Sequence, residues 1–98
     1  MFERTDALQA LESIFPSVIE TIPDEFDSHD FFITLAHQHQ QLYVQALATF
    51  ADTEYPFMNV HREIAQRLSN SGLVKKAGER NSKDIFLQTN SATVWRKV

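Results

Sequence analysis

One stretch constrains the fold of this chain more than any other: an amphipathic helix pattern that stops at a glycine and leads into a strand. Residues 59–78 read NVHREIAQRLSNSGLVKKAG. The apolar residues of this pattern recur every fourth position: Val60, Ile64 and Leu68. This spacing predicts a helix over 60–71, capped at its start by Asn59. Gly72 can adopt the left-handed conformation that closes a last helical turn.

Two helical patterns precede this stretch in the N-terminal half. The first runs from Thr5 to Phe15 and should stop at Pro16, because proline lacks the N–H that the helix needs. The second, about 29–51, is the longest, since its apolar residues keep the helical period and no Gly or Pro interrupts them. Asp27 and Asp30 are expected to cap this long helix and to occupy its first turn.

Short strand patterns follow the 60–71 helix. We expect strands at 73–77, 84–88 and 93–98, with a polar loop at 78–83. The predicted fold is therefore α+β: N-terminal helices pack with the C-terminal helix and a small antiparallel sheet in one domain, 1–98. The predicted core consists of large apolar residues from all of these segments: Leu8, Leu11, Phe15, Phe32, Leu35, Leu42, Leu47, Phe50, Ile64, Leu68, Val74, Ile85 and Val94.

Composition limits the class of protein. The chain has 98 residues, of which 43% are hydrophobic, and it contains eight Phe, so a packed core is expected rather than disorder. It has no cysteine, which excludes disulfides and thiolate metal sites. No apolar run reaches the roughly 18 residues that a membrane span needs, and the N-terminus does not have the pattern of a secretory signal. We therefore expect a soluble cytoplasmic protein that does not bind membranes.

The charges divide unevenly between the two halves. Residues 1–58 contain ten acidic residues and one basic residue, for a net charge of −9, whereas residues 59–98 contain eight basic and three acidic residues, for a net charge of +5. A basic half of this kind can indicate an anionic partner. It is equally consistent with a solvated basic surface, or with attraction between the two halves within one molecule or between copies.

Residues 56–98 resemble the second half of a winged helix-turn-helix domain. The resemblance is carried by REIAQRLSNSGLVKK, the polar GERNSK segment and DIFLQ. In that superfamily a recognition helix enters the DNA major groove and a β-hairpin wing contacts the backbone. The resemblance implies that nucleic acid would be bound by the residues Arg62, Gln66, Arg67, Lys75, Lys76, Arg80, Lys83, Arg96 and Lys97. Arg62 or Gln66 would then contact base edges.

Aromatic residues indicate a second kind of partner. Phe31 and Phe32 are adjacent, so both cannot point straight into one narrow core. Aromatic side chains are also enriched at protein interfaces. The candidate partner-binding residues are Phe31, Tyr43, Tyr55, Phe57 and Trp95. The alternative is that all of them fill the core, which a small domain needs.

Catalytic and metal-binding patterns are not found in the sequence. His37 and His39 are two residues apart and point to different helix faces, and there is no HExxH, no GxSxG and no glycine-rich phosphate loop. We therefore expect no enzyme activity, metal, cofactor or small-molecule substrate. The sequence favours a non-catalytic binding or regulatory domain that acts through a protein partner or through self-association as a homo-oligomer. The alternative is a winged-helix-like domain that binds nucleic acid through residues 59–98.

Overall fold

The computed structural model describes residues 3–98, which form α-helices and a three-stranded antiparallel sheet. The helices and strands, in chain order, are α1 (Arg4–Glu12), α2 (Phe15–Ile19), β1 (Glu25–Asp27), α3 (Ser28–Gln38), α4 (Gln40–Ala48), α5 (Pro56–Ser69), β2 (Val74–Lys83) and β3 (Thr89–Lys97). The architecture is α+β, as the sequence predicts.

Strand β3 lies at the centre of the sheet, in the order β1-β3-β2. Trp95 of β3 is paired with Phe26 of β1 on one side and with Lys76 of β2 on the other. The register shifts between Lys76 and Gly78, and Gly78 has a φ of 140°, a conformation that side chains other than glycine rarely adopt. The β2–β3 pair, called the hairpin below, extends beyond the short β1.

Residues from all of the helices and strands described above contribute to the core, in which α3 and α5 pack against the sheet. Phe31 lies at its centre, edge-on to Phe15 with 5.1 Å between ring centroids, and stacked on Phe26 at 6.0 Å. Three of the predicted core residues, Leu42, Leu47 and Ile85, are only partly buried and pack against the core. The other predicted core residues are buried.

The long helix predicted at 29–51 is wrong as a single element. It is broken at His39, whose φ of −132° and ψ of 59° are not helical, and α3 and α4 lie on either side of the break. An unbroken helix of this length would be roughly 34 Å long, because each residue adds about 1.5 Å. The change of direction instead lets α4 bury Tyr43 and Ala46 while it contacts α1 and α5.

The predictions of a strand at 84–88 and a loop at 78–83 are both wrong, because the strand and the loop are the other way round. Residues 78–83 belong to β2, and 84–88 form the turn of the hairpin. Nearly all of β2 after Val74 is exposed, so burial imposes no apolar alternation on its sequence. The turn contains Ile85, Phe86 and Leu87, an apolar run that is typical of a strand.

Three further features differ from the prediction. Helix α1 ends at Glu12 rather than at Phe15, and Pro16 lies in the first turn of α2. Helix α5 begins at Pro56 rather than after Asn59, because proline is favoured in the first turn, where its missing N–H is not needed. Strand β1 was not predicted, since three residues are too few to show a period. Gly72 has a φ of 77°, in agreement with the predicted helix stop.

Asp27 connects β1, α3 and the hairpin. Its carboxylate accepts a hydrogen bond from the N–H of Asp30, and the Asp30 side chain accepts one from the N–H of Asp27, which completes a capping box. Asp27 also pairs with Arg80 at 2.9 Å, and Arg80 reaches Asp30 at 3.1 Å. Burial raises the pKa of Asp27, but the hydrogen bonds from Asp30, Arg80 and Ser82 outweigh burial and hold the pKa below its ordinary value.

Replacement of Arg80 should therefore destabilise the fold. Arg80→Met leaves the buried Asp27 carboxylate without its cation, and we expect a loss of about 1–2 kcal/mol at pH 7. The loss is below that for a fully buried pair because the Arg80 side chain is 45% exposed. Urea denaturation measures it.

Lys83→Met is the matched control, because Lys83 lies in the same strand and forms no ion pair within residues 3–98. The difference between the two variants should shrink as the pH falls through the lowered pKa of Asp27, where the carboxylate becomes neutral. Equal stability of the two variants at pH 7 would contradict a role for Arg80 in the fold.

Candidate functional site

A cleft of about 530 Å³ lies between the start of α5 and the turn of the hairpin. We call it the α5–hairpin cleft. It is lined by residues from α3, the segment before α5, α5 itself and the hairpin: His29, Phe32, Glu54, Tyr55, Pro56, Phe57, Met58, His61, Asp84, Ile85, Phe86 and Asn90. Most of these side chains are apolar or aromatic, as in sites that bind apolar ligand groups.

The floor of the α5–hairpin cleft is a stack of two rings. The imidazole of His61 lies on the ring of Phe32, with 4.4 Å between centroids and 10° between the ring planes. Its Nε2 atom is 2.7 Å from the hydroxyl oxygen of Tyr43, a hydrogen-bonding distance. These contacts hold the His61 ring in one orientation beneath the cleft.

Both partners in this hydrogen bond are neutral at pH 7. Burial, with a smaller contribution from the nearby His29, lowers the pKa of His61 to about 4, while Asp84 acts in the opposite direction. Burial raises the pKa of Tyr43 to about 12. The floor therefore has no positive charge at neutral pH, although a histidine forms part of it.

The turn of the hairpin forms the outer wall. Phe86 packs edge-on against Phe57 of α5, with 5.0 Å between centroids. The Asp84 carboxylate accepts hydrogen bonds from the N–H groups of Phe86 and Gln88, at 2.8 and 3.0 Å. The backbone hydrogen bond from Gln88 is the main cause that lowers the pKa of Asp84, which stays ionised at neutral pH.

Large apolar side chains are exposed around the opening. Tyr55 is 57%, Met58 50% and Phe86 56% exposed, and Leu87, next to Phe86, is 72% exposed. Leu87 also has a φ of 64°, a left-handed conformation that costs about 1–2 kcal/mol for a residue other than glycine. Neither burial nor local backbone preference accounts for a leucine at this position.

His29 of α3 lines both the cleft and the groove next to it. Its Nδ1 atom is 2.7 Å from the hydroxyl of Ser82, and the residue is buried. Beyond Met58 the cleft continues as a shallower groove of about 260 Å³ that reaches Arg62 on α5. The two parts together lie between α5 and the hairpin.

The structure divides the candidate partner-binding residues into two groups. Tyr55 and Phe57 line the α5–hairpin cleft. Phe31, Tyr43 and Trp95 are buried, so for these three residues the structure favours the alternative that they fill the core. The Trp95 indole N–H donates to the hydroxyl of Ser28 at 2.9 Å, so its polar atom is also satisfied inside the protein.

Several of the candidate nucleic-acid residues are engaged within the molecule. Arg67 pairs with Glu12 at 2.9 Å, Arg96 pairs with Glu25 at 2.9 Å, and Arg80 pairs with Asp27 and Asp30. These contacts join the basic half to the acidic half. The other candidates form no ion pair within residues 3–98 and lie on α5 or the hairpin: Arg62, Gln66, Lys75, Lys76, Lys83 and Lys97.

Of the twelve residues that line the cleft, sequence reasoning named only Tyr55 and Phe57 as site candidates. Among those it missed are Met58, His61 and Phe86, together with Leu87, which lies next to Phe86. Met58 precedes the predicted helix start at residue 60, although α5 begins at Pro56. His61 lies inside the predicted helix, but it is not one of the apolar positions that define its pattern. Phe86 and Leu87 were assigned to a strand. The signal that could have identified them is an apolar run placed between polar segments that are themselves long enough to form a hairpin.

The described part of the chain contains neither a group of metal-ligating side chains nor a helix that could cross a membrane. Within residues 3–98, no three or more His, Asp or Glu side chains are grouped as metal ligands would be. In the same residues, every helix is too short or too polar to cross a lipid bilayer.

Comparisons with known proteins add no relative. No protein-family model, curated protein or solved structure matches this chain. The resemblance of residues 56–98 to a winged helix is therefore not confirmed. We interpret the α5–hairpin cleft from its own contacts, burial and charge.

The lowered pKa of His61 predicts a pH-dependent stability. The unfolded chain binds a proton at this histidine near pH 6.5, whereas the folded chain binds it only near pH 4. The stabilisation is therefore complete above pH 6.5 and is lost as the pH falls from 6.5 towards 4, by on the order of 3 kcal/mol in total. Urea denaturation between pH 6.5 and 5 measures the slope before most carboxylates titrate.

The double variant Tyr43→Phe/His61→Phe should remove most of this slope, because it deletes both hydrogen-bonding groups and leaves neither unpaired. His37→Gln is the control, since His37 is exposed and its loss should leave the slope unchanged. A double variant with the slope of the unmodified chain would show that His61 does not cause it.

Proposed function

We propose that this chain is a non-catalytic protein-interaction domain that holds a segment of a partner protein in the α5–hairpin cleft. The proposal rests above all on Leu87, a highly exposed leucine in a left-handed conformation at the tip of the hairpin. Residues that contradict local preference without a gain in packing are typical of functional positions. Leu87 itself is not a lining residue, but Phe86, its neighbour in the chain, lines the cleft with Tyr55 and Met58, and all three are at least half exposed.

The size and chemistry of the cleft support a peptide segment as the occupant. About 530 Å³ accommodates two or three side chains, and the aromatic walls offer the kind of surface on which binding energy is concentrated in protein interfaces. Phe57 holds Phe86 in place, so one wall is formed before a partner arrives. A formed wall lowers the entropy that binding must overcome.

Substitution of Leu87 separates binding from stability. Leu87→Gly relieves the left-handed strain, so we expect equal or higher stability, by at most about 1 kcal/mol, because glycine adopts this conformation freely. We expect the same variant to bind partner peptides at least about fivefold more weakly, since it removes exposed apolar surface. The probes are random 12-residue peptides displayed on phage, selected on the 98-residue chain and then synthesised for calorimetry.

The control variant is Val44→Ala. Alanine is used rather than glycine because glycine would weaken helix α4. Val44 is also exposed and apolar, but it lies on α4, away from the cleft. Val44→Ala should leave peptide affinity unchanged. If the selected peptides bind the Leu87→Gly and Phe86→Ser variants as tightly as the unmodified chain, the proposal is overturned. Sedimentation of these two variants and of the unmodified chain compares their oligomeric states and shows whether a second copy is the occupant.

Nucleic-acid binding is the second candidate function. It is favoured by the exposed basic residues of α5 and the hairpin that form no ion pair within residues 3–98, namely Arg62, Lys75, Lys76 and Lys83. Against it, the tip of the hairpin has Phe86 and Leu87 where phosphate contacts would need cations. For this reason we place it second.

A titration into random-sequence duplex DNA tests the second candidate. Binding through phosphate contacts should weaken by orders of magnitude between about 50 and 200 mM salt. Lys76→Ala and Lys83→Ala should each reduce the salt dependence by about one unit of slope, with Glu20→Gln as the control on α2. Absence of binding at the lower salt concentration would exclude this function.

A further inference from the structure

The α5–hairpin cleft has an unbalanced charge. Two carboxylates, Glu54 and Asp84, line it, and neither a lysine nor an arginine is among its lining residues. The four ion pairs within residues 3–98 include neither of these carboxylates. The acidic residues that do have cationic partners, such as Asp27 and Glu12, lie elsewhere.

The two histidines of the cleft do not compensate for this charge. His61 is buried against Phe32, where an imidazolium would lose its hydration without gaining an anion in contact. The polar contact of His29 is to the hydroxyl of Ser82 rather than to a carboxylate. An apolar cleft that is lined by carboxylates and by no lysine or arginine attracts a positively charged group.

Aromatic residues lie close to both carboxylates in the chain. Tyr55 directly follows Glu54, and Phe86 lies in the turn that Asp84 holds through its backbone hydrogen bond. Both aromatic residues line the cleft and are more than half exposed. A cation over an aromatic face gains from the ring quadrupole, and a nearby carboxylate adds to that attraction.

We infer that the partner segment held in the α5–hairpin cleft carries a lysine or arginine side chain next to a large apolar one. The apolar side chain packs against Phe57 and Met58, and the cation lies near Glu54 and Asp84 against the ring of Tyr55 or Phe86. This inference rests on the proposed function, because it names the chemistry of the segment that the proposed function requires.

The same peptide selection tests the inference. Phage-displayed random 12-residue peptides are selected on the 98-residue chain and counter-selected on the Tyr55→Ser/Phe86→Ser variant, which removes peptides that bind outside the cleft. The retained peptides should contain lysine or arginine within about three residues of Trp, Phe or Leu, severalfold more often than the unselected library does.

A charge cycle then locates the cation. Glu54→Gln should weaken the best peptide about 3- to 10-fold, and replacement of the peptide's basic residue by citrulline or acetyl-lysine should weaken it by a similar factor. The two changes together should weaken it little more than either one does, because they remove the same interaction. Glu54→Gln is preferred to Asp84→Asn, since the Asp84 carboxylate also holds the turn.

Glu20→Gln is the matched control, because it makes the same change of charge at an exposed position on the end of α2. It should leave affinity unchanged. Cleft-dependent peptides without basic residues, or full additivity in the cycle, would overturn the inference and leave the proposed function standing. Failure to obtain any peptide that depends on Tyr55 and Phe86 would overturn the proposed function and the inference with it.

Discussion

The buried carboxylate of Asp27 is the interaction on which the arrangement of the hairpin depends. A buried charge is costly unless it is paired and hydrogen-bonded, and Asp27 meets both conditions through the N–H of Asp30 and the guanidinium of Arg80. Asp27 ends β1, caps α3 and contacts β2, so one group sets the positions of three elements. These contacts fix the hairpin against β1 and α3, and the cleft lies between the turn of that hairpin and α5.

Some of the basic residues in the C-terminal half of the chain have a structural role. Arg67, Arg80 and Arg96 each pair with an acid of the N-terminal half, so the attraction between the two halves acts within the molecule at these positions. Arg67 joins α5 to α1, and Arg96 joins β3 to β1. The cleft lies apart from these pairs, and its carboxylates remain without cationic partners within residues 3–98.

The sequence predicts those elements whose burial imposes a period, and fails where burial does not. Helix α5 could be predicted because Val60, Ile64 and Leu68 are fully buried on one face. Strand β2 could not, since its exposed residues carry no alternation, and the apolar run of the turn resembles a strand. The break at His39 has no proline or glycine to mark it. Of the cleft, the sequence indicated Tyr55 and Phe57 but not the hairpin tip opposite them.

Most of β2 is exposed, and this exposure affects how easily the hairpin wall of the cleft can move. Backbone hydrogen bonds near the end of the hairpin are covered by few apolar side chains, whereas α5 is anchored in the core by three buried residues. Segments with little apolar cover open at a lower free energy than the core does. The wall formed by α5 is therefore anchored in the core, whereas the hairpin wall is kept in position near its tip by the contact of Phe86 with Phe57, so this wall can open locally without any change in the packing beneath the cleft.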